Sequence, residues 1–458
     1  LFAIPGICAL IIFILARPQE FLPLFQKLPF LYLFCAAAIG GFVLDLKLRR
    51  LEPVAAPTLP WIAAFIIWAT ICNAVKHPEA LIPSTIAMVI IFTLYGVIAH
   101  GAQRFRIFQI IAATVMGVCL FLAAVCLHQS WQPRTCVAED WRHPGEGIPD
   151  GRPCELAEDC MGTDAEPGQD YRCEKVGMFG TYSIEDRVRY RGELHDPNEL
   201  SMTISIGGLA FLVAFAIRKR TAGWIVFATL GGLMIFWTVI ETMSRGGMVV
   251  ALAVGGVYFV KRYGFAGMAL GGVGALPLLA LGGRSGDAAD ASTQLRYEAW
   301  AAGLQMFKMS PVFGVGARQF GQHHFMTAHN TYVLVLAELG MIGFFIFISI
   351  LYLSVKILWL GVSQLARVPG AEAARTWGLA LLSSYVGLLF QINTLSFAYH
   401  SVMWIFLGLA SAYWSCVRHH KPDFEVKLEG RDLAAVAAIC FGFAFVILPI
   451  FLKWKQVA

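Results

Sequence analysis

The residues best placed to move a proton are His329 and Asn330, at the mouth of an apolar run, with nine residues between Asn330 and a Gly340-x-x-Gly343 pair. A helix starting at Asn330 or Thr331 puts His329 at the positive end of its dipole, where the imidazolium form is disfavoured. A neutral imidazole beside a hydroxyl is a general base, a role worth about 10²–10⁴ in rate when the group is well placed. The same helix end would accept an anionic phosphate. The alternative is that His329 and Asn330 do no more than cap the helix. His323 and His324 could join His329 as metal ligands, but no Asp or Glu stands near them in sequence, so the site is read as metal-free. The helix behind the histidine, through Gly340 and Gly343, is expected to be a rigid rod.

Three further groups carry arginines, whose planar guanidiniums suit phosphate and pyrophosphate. Arg187, Arg189 and Arg191 alternate, so an extended segment would turn all three to one face. They lead into Asp196-Pro197-Asn198, a helix start with Asp as N-cap and Pro in the first turn. Arg245 sits in Ser244-Arg245-Gly246-Gly247, where small neighbours allow close approach of a ligand; the alternative is an interfacial anchor. Arg296 and Trp300 share a stretch whose apolar positions 295, 299, 302, 303 and 306 recur at roughly helical spacing, read as an interfacial helix on the membrane surface. Glu298 has the wrong spacing to neutralise Arg296 within that helix. A turn at Pro311-x-x-Gly314-x-Gly316 and then Arg318 follow.

The elements that must position these groups are membrane spans. The chain has 458 residues, 58% of them hydrophobic and only 14% charged, with a mean hydropathy of +0.66. Its apolar runs suit helices crossing a hydrocarbon core of roughly 30 Å and lack the alternation of a membrane β-barrel. The expected fold is an all-α polytopic transmembrane helix bundle of about 12–13 spans. The thirteen candidates lie near 1–16, 28–46, 59–75, 81–99, 107–128, 198–217, 222–241, 246–260, 265–282, 334–355, 377–395, 401–416 and 433–452. No cleavable signal peptide is expected.

Short loops rich in Lys and Arg, such as those holding Lys47, Arg49 and Arg50, Arg104 and Arg106, and Arg418 and Lys421, are assigned to the cytoplasm. The net charge of +5 therefore reports topology, not a nucleic-acid partner. The resulting divisions are N-terminal helices 1–128, an extracytoplasmic loop 129–197, central helices 198–282, an extracytoplasmic catalytic loop 283–333, and C-terminal helices 334–458. The last span breaks the charge rule, since it leaves Lys453 and Lys455 outside.

Four cysteines, Cys136, Cys154, Cys160 and Cys173, cluster in the loop 129–197, which is rich in Gly, Pro, Asp and Glu. That composition is typical of a disulfide-stapled module in an oxidising compartment. Three connectivities are open; zinc is the alternative, although a C-x-x-C pair is lacking.

No Walker motif and no dinucleotide fingerprint are present, so a substrate must arrive already activated. In order and spacing over roughly 180–360, the motifs resemble the O-antigen ligase and polymerase superfamily of bacterial integral membrane glycosyltransferases. The residues that carry the resemblance are Arg191 through Asp196-Pro197-Asn198, Ser244-Arg245-Gly246, Arg296-x-x-x-Trp300 with Pro311-x-x-Gly314-x-Gly316, and His329-Asn330-x9-Gly340-x-x-Gly343.

The resemblance implies inverting, metal-independent and cofactor-free transfer of a glycan from undecaprenyl pyrophosphate at the periplasmic face of the bacterial inner membrane. The acceptor would be lipid A core or a protein hydroxyl in a ligase, and the next lipid-linked repeat in a polymerase. His329 would activate the acceptor, and Arg191, Arg245 and Arg296 would hold the pyrophosphate, with Asn330, Arg318 and Arg189 in support. Other glycan-assembly proteins are possible partners. The four-cysteine loop departs from the family pattern and leaves ligase and polymerase open. A lipid-linked-glycan flippase is the reading from another class; it predicts internal repeats and charges within spans.

Overall fold

The computed structural model describes residues 1–26, 28–139, 147–162, 165–219, 221–257, 260, 264, 266 and 287–457. It is mostly helical: α1 (Ala3–Ala16), α2 (Phe30–Lys47), α3 (Leu59–Lys76), α4 (Leu81–Gly101), α5 (Phe105–Ser130), α6 (Pro197–Lys219), α7 (Ala222–Glu241), α8 (Arg245–Val257), α9 (Asp287–Met309), α10 (Thr331–Leu365), α11 (Glu372–Gln391), α12 (Ser401–His420) and α13 (Gly430–Trp454). Among the described residues nine helices are long and apolar enough to cross a membrane.

The thirteen sequence candidates resolve by length and polarity. Helices α1 and α8 are shorter apolar helices, and α12 has the length but is not among the nine. Apart from residue 266, the candidate at 265–282 lies outside the described residues. The remaining candidates match the nine long helices, so the all-α bundle stands.

The chain folds as two compact units, one of residues 1–10, 31–113 and 285–458, the other of residues 11–30 and 114–284. In the first, α10 is the central helix, with most of its side chains buried. Helix α13 runs antiparallel to it: Tyr352 and Lys356 bond Asp432 near the start of α13 (3.0 and 2.6 Å), and Phe443 lies against Phe344. The C-terminus of α13 thus returns to the end where α10 begins. There Lys455 sits 5.3 Å from the Tyr297 ring of α9. Inside this unit three buried hydroxyls pair with one another, as Thr58 bonds both Tyr95 (2.8 Å) and Ser411 (2.6 Å).

In the second unit, α6 contains a π-helical turn at Ser205–Leu209. Its glycines allow close helix contact: a Cβ on Gly207 would lie 2.5 Å from the Cys119 sulfur, and one on Gly208 would lie 2.3 Å from Ile235. The four-cysteine loop is the exception to helix. It forms a three-stranded antiparallel sheet of β1 (Arg134–Glu139), β2 (Gly147–Pro153) and β3 (Tyr171–Lys175), in the order β2-β1-β3. Cys136 is bonded to Cys160 and Cys154 to Cys173. With so few apolar residues, the buried sulfurs of Cys136 and Cys160 and the side chain of Val137 are the centre of this module. Backbone N–H bonds from Val188 to the Glu241 carbonyl (3.2 Å) and from Arg189 to the Gln129 side-chain oxygen (3.0 Å) tie its exit segment to α7 and α5.

Candidate functional site

In the first unit, α10 begins at Thr331 with Asn330 as its N-cap. The Asn330 carboxamide oxygen accepts the backbone N–H of Tyr332 (3.0 Å) and Val333 (3.1 Å), satisfying two donors that the first turn leaves open. Capping therefore belongs to Asn330 and not to His329. The next residue is fixed as well: Thr331 donates its N–H to Ile392 (2.8 Å) and its hydroxyl to Leu395 (2.6 Å), and accepts from the N–H of Phe397 (2.8 Å).

His329, one step outside the cap, is half-buried and has φ of 43°. This is the left-handed region, which costs a residue with a Cβ roughly 1–2 kcal/mol. On its other side Ala328 is buried, and its carbonyl accepts the indole N–H of Trp300 at 2.8 Å. The imidazole is thus presented between two anchored neighbours.

Helix α9 supplies that indole. Of the expected apolar positions Ala299, Gly303 and Met306 are buried, joined by Leu304 and Phe307, while Leu295 is exposed. Helix α9 packs on α10 and α13. A Cβ on Gly303 would come within 2.5 Å of Val333, and the rings of Tyr297 and Trp300 lie 5.4 and 5.6 Å from Phe451. Arg296 is one helical turn before Trp300 and therefore shares its face, which is the face turned toward Ala328.

The rigid rod does not survive in the structure. Gly340 has φ of 63° and ψ of −167°, which breaks α10 within its third turn. The loop after α9 fills the break: Val315 donates to the Ala337 carbonyl (2.9 Å), Gly316 to Glu338 (2.9 Å), and Met341 to Pro311 (2.8 Å). The Leu339 carbonyl, released by the break, accepts the Trp68 indole at 2.9 Å. The carbonyls of Ala337, Glu338 and Leu339 and the N–H of Met341 thus find partners at the break, as backbone groups in an apolar setting must. Gly314, at φ of 63°, and Gly340 are required by this contact, because a Cβ on either would lie 2.3 Å from backbone atoms. The two glycine motifs are therefore halves of one joint.

One residue in this region was not singled out from sequence. Glu338 is buried, and its carboxylate accepts the backbone N–H of Arg318 (2.9 Å) and Phe320 (3.0 Å), which fixes the loop ahead of the histidine. An acidic residue within an apolar run was the available signal. Arg318 itself, at φ of 63°, extends its guanidinium over Tyr399, 5.3 Å from the ring centre. Burial and the neighbouring Glu338 push the Tyr399 phenol well above its ordinary range, so it remains protonated.

In the second unit, Asp196 caps α6 by accepting the Asn198 N–H at 2.7 Å, with Pro197 in the first turn. The Asn198 carboxamide oxygen then accepts the Ser244 hydroxyl (2.7 Å) and Arg187 (3.3 Å). Ser244 also accepts the Gly247 N–H at 3.0 Å, capping α8 and leaving Arg245 exposed at the first position of that helix.

The alternating arginines do not form one face. Arg187 is buried and donates to the Thr242 carbonyl at 2.9 Å. Arg189 stacks on Tyr182 at 4.4 Å and donates to its carbonyl, and Arg191 donates to the carbonyls of Phe179 and Glu20. Arg189 and Arg191 line a cavity of about 740 Å³ together with Arg17, Tyr190 and His195.

Among the described residues, Cys136, Cys154 and Cys160 are the only set of three potential metal ligands within reach of one another, and all three sulfurs are in disulfides. His323 lies 6.4 Å, ring to ring, from His77, which bonds Glu79 at 2.9 Å.

Residues 207–348 match the family model described as O-antigen ligase. No curated protein matches the chain.

Proposed function

We propose, from the premise that over residues 207–348 the chain belongs to the O-antigen ligase and polymerase superfamily, that it moves a glycan from undecaprenyl pyrophosphate to an acceptor hydroxyl. The reaction takes place at the periplasmic face of the bacterial inner membrane. The observation that carries this reading is the presentation of His329 between the Asn330 cap and the Trp300-anchored Ala328, with Arg296 on the same face of α9.

The chemistry is in-line and inverting. The acceptor oxygen attacks the anomeric carbon, His329 takes the hydroxyl proton, and the bond from that carbon to the pyrophosphate oxygen breaks with its electron pair. Arg296 meets the charge that develops on the leaving pyrophosphate, and Arg245 and Arg191 keep the same role as the resemblance gives them. Guanidiniums supply the countercharge, so no metal is needed. Arg318, Arg189 and Asn330 are positioning residues. The ligase form is favoured, with lipid A core or a protein as acceptor.

Deleting the gene and resolving surface glycan on a gel tests the reading. Unattached lipid-linked polymer accumulates if the chain is a ligase. Single repeats show a polymerase, and repeats trapped on the cytoplasmic face overturn both in favour of a flippase. His329→Ala and Arg296→Ala proteins, folded and inserted, lose transfer activity; full activity in either overturns the role given to that residue.

A further inference from the structure

At the end of the first unit opposite His329, arginines from three separate segments converge. Helix α12 starts beside the Thr331 anchor and ends at His420, about 30 Å away at 1.5 Å per residue. Near that far end lies a cavity of about 690 Å³ lined by Arg49, Arg50, Arg104, Arg106 and Arg418, with Glu52 as its one carboxylate. Among the described residues none of the five guanidiniums makes an ion pair. The charge bias of membrane loops accounts for basic residues on this side. It does not account for their convergence, since like charges gathered around one space repel unless an anion sits among them.

The cavity is held open by fixed backbone. The strap between α2 and α3 is pinned to α4 and its following turn: Glu52 donates its N–H to Gln103 (2.9 Å), Gln103 donates back to the Glu52 carbonyl (2.7 Å), and Ala56 donates to His100 (3.2 Å). Two guanidiniums rest on rings, Arg50 over Phe2 at 4.8 Å and Arg418 over Trp414 at 4.9 Å. A second feature adjoins the first. A groove of about 420 Å³, walled by apolar side chains such as Ile39, Phe42, Leu46 and Phe92, runs between α2 and α4 and shares Glu52 and Val54 with the arginine cavity.

We propose that cavity and groove together bind one anionic phospholipid, its phosphate among the arginines and an acyl chain along the groove. Guanidiniums recognise phosphate oxygens in pairs, and basic pockets between membrane helices hold anionic headgroups. The adjoining apolar groove is what selects a lipid over a free phosphate ion.

The test is thermal unfolding of the full chain in detergent, titrated separately with phosphatidylglycerol, with phosphatidylcholine of the same chains, and with inorganic phosphate. Phosphatidylglycerol raises the melting temperature, and the other two do not. In Arg104→Gln/Arg106→Gln/Arg418→Gln protein, the phosphatidylglycerol needed for half the shift rises about ten-fold or more. Gly96→Trp, at a position where a Cβ meets nothing within 4 Å, fills the groove and weakens the same response. If the triple variant fails to fold, Arg418→Gln and Gly96→Trp decide the matter by the same titration. Equal stabilisation by phosphatidylcholine, or an unchanged response in the variants, overturns the site. A full shift with inorganic phosphate alone overturns the lipid assignment and leaves a soluble phosphate as the occupant.

Discussion

The left-handed backbone of His329 separates its structural cost from its chemical role. At φ of 43°, replacing histidine by alanine keeps the Cβ and with it the steric penalty of roughly 1–2 kcal/mol, whereas glycine removes it. Against this stands glycine's greater loss of freedom on folding, about 0.5–1 kcal/mol. The difference leaves His329→Gly as stable as His329→Ala or up to about 1.5 kcal/mol more stable. Both remove the imidazole, so both lose about 10²–10⁴ of the transfer rate. The assay has two arms: reversible unfolding in mixed micelles for stability, and transfer from a lipid-pyrophosphate donor to acceptor for activity. A glycine variant less stable than alanine by about 1 kcal/mol or more, about five-fold in equilibrium constant, refutes the strain argument. Near-normal activity in either variant refutes the base assignment.

Other perturbations address the supports. Gly340→Ala forces a Cβ to 2.3 Å from the Val312 carbonyl at φ of 63°, and it lowers stability by about 3 kcal/mol or more in the same unfolding assay. Gly232→Ala, in open space on α7, is neutral or stabilising by up to about 1 kcal/mol. Trp300→Phe removes the bond to the Ala328 carbonyl, and kcat falls about 3- to 10-fold with KM for the donor unchanged; a rise in KM alone would show that Trp300 contacts donor instead. The two disulfides close sequence separations of 24 and 19 residues, so removing either pair costs about 3 kcal/mol, read as earlier proteolysis of the sheet module. Alkylation of protein from cells labels Cys136, Cys154, Cys160 and Cys173 only after reduction; free thiols there contradict an extracytoplasmic module. Chelation with EDTA leaves transfer activity unchanged.

Local pattern was enough for much of this protein. Apolar runs of membrane length predicted helices because an unpaired backbone group is costly in lipid, a constraint acting within each segment. Asp196-Pro197 and Asn330 were readable as helix starts because a cap bonds its own next turn. The cysteine cluster marked a stapled module, but not its pairing, since which sulfurs meet depends on how β1, β2 and β3 align.

Tertiary structure decided what contacts between distant segments control. Arg187, Arg189 and Arg191 have the right spacing for a shared face, yet Thr242, Tyr182 and Phe179 claim their guanidiniums one by one. The glycines at 314 and 340 looked like separate turn and rod, and they are one joint because the loop at 311–316 supplies the hydrogen bonds that α10 gives up. His329 was visible as a polar group at a helix mouth. Its left-handed backbone and its anchorage through Ala328 to Trp300, a residue 28 positions before Ala328, exist only when α9 packs on α10. Sequence pattern records bonds a residue makes within its own few turns; the bonds that aim a side chain run between segments far apart in the chain, and only the folded packing brings them together.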